Sequence, residues 1–360
     1  MHQETKRFVP RTYSLSPHDS QILGNYRLMG RILSPDVATD HSRPVVYLAE
    51  GPDQVLVVVK AARLDSGWEG LERLRREARN ASRIDSTQVA GIVQGPAEDL
   101  DHLYIVQQYV HGTPLDRLLQ QKAGQQLSPE DSYRLALGLL SALRAVHAAG
   151  VTHRDIKPGN IIVTIDGPVL VDFGNSHHED DDRITTSGGQ RWGTPKYMSP
   201  EQFDQLGVSS AIDLFGWAVT VVESASGHHP FADPGRPVLY QHVNGRVSPN
   251  LSGVPVELVP AVRTALEPDP RRRSTAGYLE RRLARTDATR QLPEGDIPLP
   301  AGGQRQLEVP SLSLAFTAWR SQFENALVDG NRWFVVACII AILLAAPAGV
   351  LLRILVAWVL

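Results

Sequence analysis

Short β-branched runs open the folded part of the chain, and helical periods dominate its second half. Tyr26 to Leu33, Val45 to Glu50 and Val55 to Ala61 read as strands separated by Pro, Gly and Asp turns. Trp68, Leu71, Leu74, Ala78, Ala81 and Ile84 then recur every three or four positions, the spacing of a helix with one buried face. Leu103 to Val110 predicts a further strand. Ser128-Pro129-Glu130-Asp131 marks a helix start, with a capping serine and a proline at the first helical position, where its missing N–H costs nothing. Leu135, Leu139, Leu143 and Val146 form the apolar stripe of that helix, and Gly150 ends it. Residues up to about Gln21 are polar and of mixed charge, the pattern of an unstructured tail. Asn175 to Pro200 is a polar, aperiodic stretch whose length predicts a functional loop. A mostly helical region follows, to about Arg285.

The sharpest local signal lies between Asn160 and Asp172. Two apolar runs, Ile161 to Ile165 and Pro168 to Val171, flank Asp166-Gly167, a dipeptide that favours two-residue hairpin turns. Such a turn sets Ile165 opposite Pro168 and Ile161 opposite Asp172, so that Asn160 and Asp172 meet at the open end. A carboxamide oxygen facing a carboxylate suits a hard divalent cation such as Mg²⁺, which also takes phosphate oxygens. Asp155 sits on the loop leading into the same place. The outline is that of a phosphoryl-transfer site.

A second pairing follows from burial. Lys60 ends the run Val55 to Val59, and Glu77 shares the apolar face of its helix with Leu74 and Ala81. A buried ammonium and a buried carboxylate are each expensive alone. Each meets the other's need, and the pair points the lysine at phosphates.

The bulk numbers narrow the partners. With 360 residues, a net charge of -3 and one cysteine, Cys338, there is no electrostatic case for nucleic acid and no disulfide framework. The run His177 to Asp182 reads as a solvated charge cluster rather than a metal site. No apolar segment follows Met1 to Arg7, so no signal peptide is expected. At the other end, Trp333 to Leu352 is apolar and uncharged, about twenty residues, enough at ~1.5 Å each to cross a bilayer once. Arg320 and Arg332 on one side favour a cytoplasmic folded domain. Leu312, Phe316, Trp319, Phe323 and Leu327 share one helical face just before this span.

Taken together, these residues resemble the bacterial eukaryotic-type (Hanks-type) Ser/Thr protein kinases, of the membrane-anchored kind found in actinobacteria. Val58-Val59-Lys60 resembles the phosphate-pairing strand and Glu77 its helix partner. His153-Arg154-Asp155-Ile156-Lys157-Pro158-Gly159-Asn160 resembles the catalytic loop, and Asp172-Phe173-Gly174 the metal-binding triplet. Gly193 to Glu201 resembles the segment closing the activation loop. Asp213 is similar to the aspartate that braces the catalytic loop, and Arg273 to the arginine that pairs with Glu201.

The resemblance implies an α+β, bilobal protein-kinase fold, with a small β-rich N-lobe and a helical C-lobe, plus one C-terminal transmembrane helix. The expected layout is a tail over 1–22, the kinase domain over 23–286, a linker over 287–310, an amphipathic juxtamembrane helix over 311–330, and the span with a short tail over 331–360. The implied cofactors are ATP and Mg²⁺. Asp155 would take the substrate hydroxyl proton, Lys157 would steady the transferring group, and Asn160 and Asp172 would hold the metal. Leu33 and Val46 join Lys60 in the nucleotide-binding set. Thr185, Thr186 and Thr194, with Ser187, are candidate phosphate acceptors on the activation loop, near enough to Arg154 for charge-assisted bonds. Protein substrates, a membrane and a second copy of the chain are the implied partners, and the cell membrane the implied location.

The pattern departs in three places. Ser34 to Pro44 contains no glycine where the family carries GxGxxG, which raises the alternative of a pseudokinase or weakly active scaffold. Gln107 and Gln108 stand where an apolar and an acidic residue are usual. Gly216-Trp217-Ala218 replaces the usual Ser-Leu-Gly.

Overall fold

The computed structural model describes residues 12–32, 44–99, 101–121, 126–179, 193–204, 207–231 and 248–287. An antiparallel sheet is built from β1 (Ile22–Leu23), β2 (Tyr26–Arg31), β3 (Val45–Glu50), β4 (Leu56–Arg63), β5 (Ile92–Asp99) and β6 (His102–Gln108), in the order β1-β2-β3-β4-β6-β5. Strand alternation gives this sheet two different faces. Leu28, Tyr47, Val57, Val59, Tyr104 and Val106 bury one face in their own cluster. On the other, Ala62, Leu103 and Ile105 meet Leu74 and Ala78 of α1 (Trp68–Ser82). The helix begins after Gly67, whose φ of 94° turns the chain off the strand.

The second core is helical. It contains α2 (Leu115–Gln121), α3 (Pro129–Ala148), α4 (Pro200–Phe203), α5 (Ala211–Ser226), α6 (Val259–Ala265) and α7 (Ala276–Asp287). Ser128 caps α3 by accepting the Asp131 N–H at 3.1 Å, and Gly150 leaves the helix with φ 68°. Leu135, Leu139, Leu143 and Val146 are fully buried against α5 and α7. Trp217 explains one departure from the family pattern: it fills the gap between α3 and α5 and donates its indole N–H to the Ala136 carbonyl at 3.0 Å. Its neighbour Gly216 lies so close to Ile156 that a Cβ would come within 3.1 Å of the isoleucine Cβ.

Short strands carry the loops between the two cores. These are β7 (Thr113–Pro114), β8 (Val151–Thr152), β9 (Ile161–Thr164), β10 (Gly167–Leu170) and β11 (His177–His178). The β9–β10 hairpin is correct in place and wrong in register. Thr164 pairs with Gly167 and Ile161 with Leu170, so the two-residue turn is Ile165-Asp166. The cause is the Thr164 hydroxyl, which accepts the Asp166 N–H at 3.0 Å and bonds the Gly167 carbonyl at 2.9 Å, closing the turn one residue early. Gly167 then uses its φ of 117° at the start of β10. Asn160 consequently lies opposite Val171, whose N–H it accepts at 3.0 Å, and Asp172 follows just beyond.

β5 and α2 escaped the sequence reading, as did the two-residue strands β1, β7, β8 and β11. The last of these takes His177 and the buried His178 out of the expected solvated charge cluster. A further correction concerns the expected tail. Tyr13 bridges Arg31 in antiparallel fashion, and Asp19 accepts from Arg31 Nε and Nη2 at 2.7 and 2.6 Å and from the Tyr47 hydroxyl at 2.8 Å. Residues 12–21 therefore run along the small sheet rather than free of it. The expected linker beyond residue 287, the juxtamembrane helix and the span lie outside the described residues, and among those described no helix is long and apolar enough to cross a membrane.

Trp217→Ala removes a fully buried ring and its hydrogen bond, and should cost about 3–5 kcal/mol in urea unfolding; a loss under about 1 kcal/mol would mean the helical core does not rest on it.

Candidate active site

The loop from β8 to β9 is shaped by one carboxylate beneath it. Asp213, buried on α5, accepts the backbone N–H of His153 at 2.8 Å on Oδ2 and that of Arg154 at 2.7 Å on Oδ1. His147 Nε2 adds a third contact at 2.8 Å. These bonds hold Arg154 at φ 67°, a left-handed conformation that a long side chain seldom adopts. Asp172 has φ 66° in the facing segment, so two of the three described non-glycine residues with positive φ lie in this site. His153 packs edge-on to Phe173, ring centroids 4.6 Å apart, and Phe173 is buried in the helical core. Backbone strain here is thus held by hydrogen bonds and packing around it.

Asp155 is nearly buried and its oxygens are unequally engaged. Oδ2 accepts from Lys157 Nζ at 2.9 Å, Asn160 Nδ2 at 3.1 Å and Asn175 Nδ2 at 3.2 Å. Among the described residues, Oδ1 accepts the Thr194 N–H alone, at 2.9 Å. Lys157 also reaches the Thr194 hydroxyl at 2.5 Å. Thr194 is therefore a brace for the catalytic loop in this conformation, and not a free acceptor for phosphate.

Across the cleft, Lys60 on β4 forms an ion pair with Glu77 of α1 and lies 3.2 Å from Asp172 Oδ1. Burial works against the charge on Lys60, but Asp172 and Glu77 outweigh it and hold its pKa above the ordinary value. Burial opposes the charge on Asp172 too, yet Lys60 and Arg73 drive its carboxyl well below the usual range. Gln107 donates to the same Glu77 oxygen at 3.1 Å. Neither Gln107 nor Asn175 was assigned a role from sequence, since an amide in a strand or loop carries no periodic signal.

A cavity of about 270 Å³ lies between these groups. Ile32, Val46, Val58 and Ile162 give it apolar walls, while Lys60, Asn160 and Asp172 line one side. The fit to Mg²⁺ can be read from Asn160. Its amide nitrogen is committed to Asp155, at 2.9 Å to the carbonyl and 3.1 Å to Oδ2, so its Oδ1 is the acceptor left over. That oxygen and the Asp172 carboxylate make a small hard donor set. No group of three or more His, Cys, Asp or Glu suited to a metal exists among the described residues. Leu33, Thr185, Thr186 and Ser187 lie outside the described residues.

Glu201 and Arg273 meet as expected, in a buried two-pronged pair at 2.6 and 2.9 Å.

Asp213 has a pH signature. Burial alone would raise its carboxyl pKa, but the bond and charge of His147, with His153, pull it below the ordinary value. Its stabilisation is then present above the unfolded value near ~3.9 and lost as pH falls through the lower folded value. Asp213→Asn should lower unfolding stability by roughly 2–3 kcal/mol at neutral pH. Urea midpoints for the two proteins should converge as the solution is acidified below about pH 4; a gap independent of pH would contradict this assignment.

Comparison with known proteins gives this geometry its family. The protein kinase domain family matches residues 44–282, beginning at the last residue of the glycine-free stretch. The chain is 31% identical over 259 residues to the serine/threonine-protein kinase AfsK of Streptomyces griseus, a match covering 71% of this chain and 31% of AfsK. It is 31% identical over 277 residues to the probable serine/threonine-protein kinase PkwA of Thermomonospora curvata, covering 76% of this chain and 36% of that protein. The serine/threonine-protein kinase PknA of Mycobacterium tuberculosis is 31% identical over 295 residues, covering 78% of this chain and 66% of PknA. The chain thus spans about a third of the length of the AfsK and PkwA relatives it matches. The loop from His153 to Asn160, the Asp172-Phe173-Gly174 triplet and the buried Lys60–Glu77 pair lie inside the matched region, and the chain belongs to the protein kinase family.

Proposed function

We propose that the chain is a Ser/Thr protein kinase that transfers the γ-phosphoryl group of ATP to protein hydroxyls. The observation that carries this reading is the asymmetry of Asp155. Three donors occupy Oδ2, while Oδ1 has a single backbone donor and keeps a lone pair for a substrate. In the transfer, the substrate oxygen bonds to the γ-phosphorus, the bond from that phosphorus to the β–γ bridging oxygen breaks, and the hydroxyl proton goes to Asp155 Oδ1. Lys157, tied to both Asp155 and Thr194, steadies the charge on the moving group. Lys60 pairs with the α- and β-phosphates. Mg²⁺ held by Asn160 and Asp172 would neutralise phosphate charge. The scaffold alternative draws on the glycine-free sequence alone, and the described residues contain a full set of transfer groups.

The same reading extends to regulation and location. Thr185 and Thr186 are proposed acceptors in an activation loop read by Arg154, with autophosphorylation in trans between two copies of the chain as one route. The apolar run from Trp333 to Leu352 is proposed as a single membrane span, with the kinase domain on the cytoplasmic side where ATP is available.

Asp155→Asn should lower phosphate incorporation from labelled Mg·ATP by about 10²–10⁴-fold, with the fold retained by circular dichroism. Equal silence of wild type and variant at saturating ATP would favour the scaffold. A chain ending near Gly330 should leave the membrane fraction for the soluble one; continued pelleting with membranes would place the anchor elsewhere.

A further inference from the structure

Gln107 departs from the family pattern just after the buried run Leu103 to Val106, and its surroundings explain why it can. The β4–β6 register sets Lys60 opposite Ile105 and Val58 opposite Gln107. Alternation then puts Lys60 and Gln107 on one face of neighbouring strands, the face that meets α1. Gln107 is only 4% exposed, so its carboxamide needs a partner to offset the loss of water. It finds one in Glu77, which is 2% exposed.

Glu77 Oε1 therefore has two donors, an ammonium from β4 and an amide from β6. The distinction from a simple ion pair is geometric. With one donor, a carboxylate can turn about its contact, and Lys60 has a second carboxylate close by, 3.2 Å away on Asp172. A second donor at a fixed angle removes that freedom and anchors the α1 carboxylate to two strands at once.

We propose that Gln107 is a positioning residue of the transfer site: through Glu77 Oε1 it fixes the Lys60–Glu77 pair, and so aims Lys60 at the nucleotide while keeping α1 seated on the sheet. This rests on the role given above to Lys60 and Glu77. The shape of the pocket wall is the rival explanation for Gln107, because the same side chain lines the cavity.

A double-mutant cycle on the full chain separates the two. Methionine has the length of glutamine and no donor, so Gln107→Met keeps the volume and deletes the bond. Alone it should lower kcat/KM for ATP about tenfold, whereas in a Glu77→Met background, which has no acceptor left, it should change kcat/KM by less than about twofold. Melting of the nucleotide-free protein should show the same coupling: a fall in Tm with Glu77 present and little change without it. Equal effects in both backgrounds, or none in either, overturn the proposal and leave the ion pair's role intact. If Glu77→Met itself leaves kcat/KM unchanged, the role of the pair fails and takes this inference with it.

Discussion

A lysine ammonium withdrawn from water between two carboxylates is the constraint from which the cleft is laid out. Lys60 cannot leave both Glu77 and Asp172, because an ammonium left alone at that depth would cost several kcal/mol. One carboxylate belongs to a helix packed on the small sheet, and the other to the segment after a hairpin on the helical core. The cation thus ties the cluster beneath α1 to the helical core, which Ile92 also touches from the small sheet. The pocket is the space that this tie holds open.

The same rule governs the lower half of the site. Asp155, Asp213 and Glu201 are all buried carboxylates, and each is met by several donors. What differs is where the donors come from. Asp213 takes backbone N–H groups and so dictates chain path, holding Arg154 in a left-handed turn. Asp155 takes side chains at Oδ2 and leaves Oδ1 less engaged. The carboxylate that shapes the loop is met mainly by backbone N–H groups, and the one proposed to take a proton mainly by side chains.

Much of this was legible in the chain because burial and charge leave marks in sequence. Ser128, Pro129 and Gly150 bracket α3 as their cap chemistry requires. Glu77 could be paired with Lys60 because both interrupt apolar faces. The hairpin was found and then misregistered, since Asp-Gly outranked Thr164, whose hydroxyl is the group that closes the turn. β5 was missed for a different reason. It is the edge strand, its register breaks near Gln94, and Gly95-Pro96 interrupts the alternation that marks a strand. Residues 12–21 were read as a tail because the arginine, aspartate and tyrosine that fix them are ordinary surface types until they meet.

Arg273 shows how far the catalytic loop depends on residues remote from it in sequence. A guanidinium has five N–H donors in a fixed plane. Here Nε meets the Glu267 carbonyl at 2.7 Å, Nη1 meets Glu201 and the Ala211 carbonyl at 2.6 and 3.0 Å, and Nη2 meets Glu201 and the Pro268 carbonyl at 2.9 and 3.1 Å. The Phe215 ring lies beneath the plane at 5.0 Å. A lysine's three donors, rotating on one atom, could not meet that set. The segment carrying Thr194 leads into Glu201, and α5, which carries Asp213, begins at the Ala211 carbonyl that Arg273 also holds. One buried cation therefore secures the approach to Thr194 and the start of the helix beneath His153. The position of Asp155 is set between them.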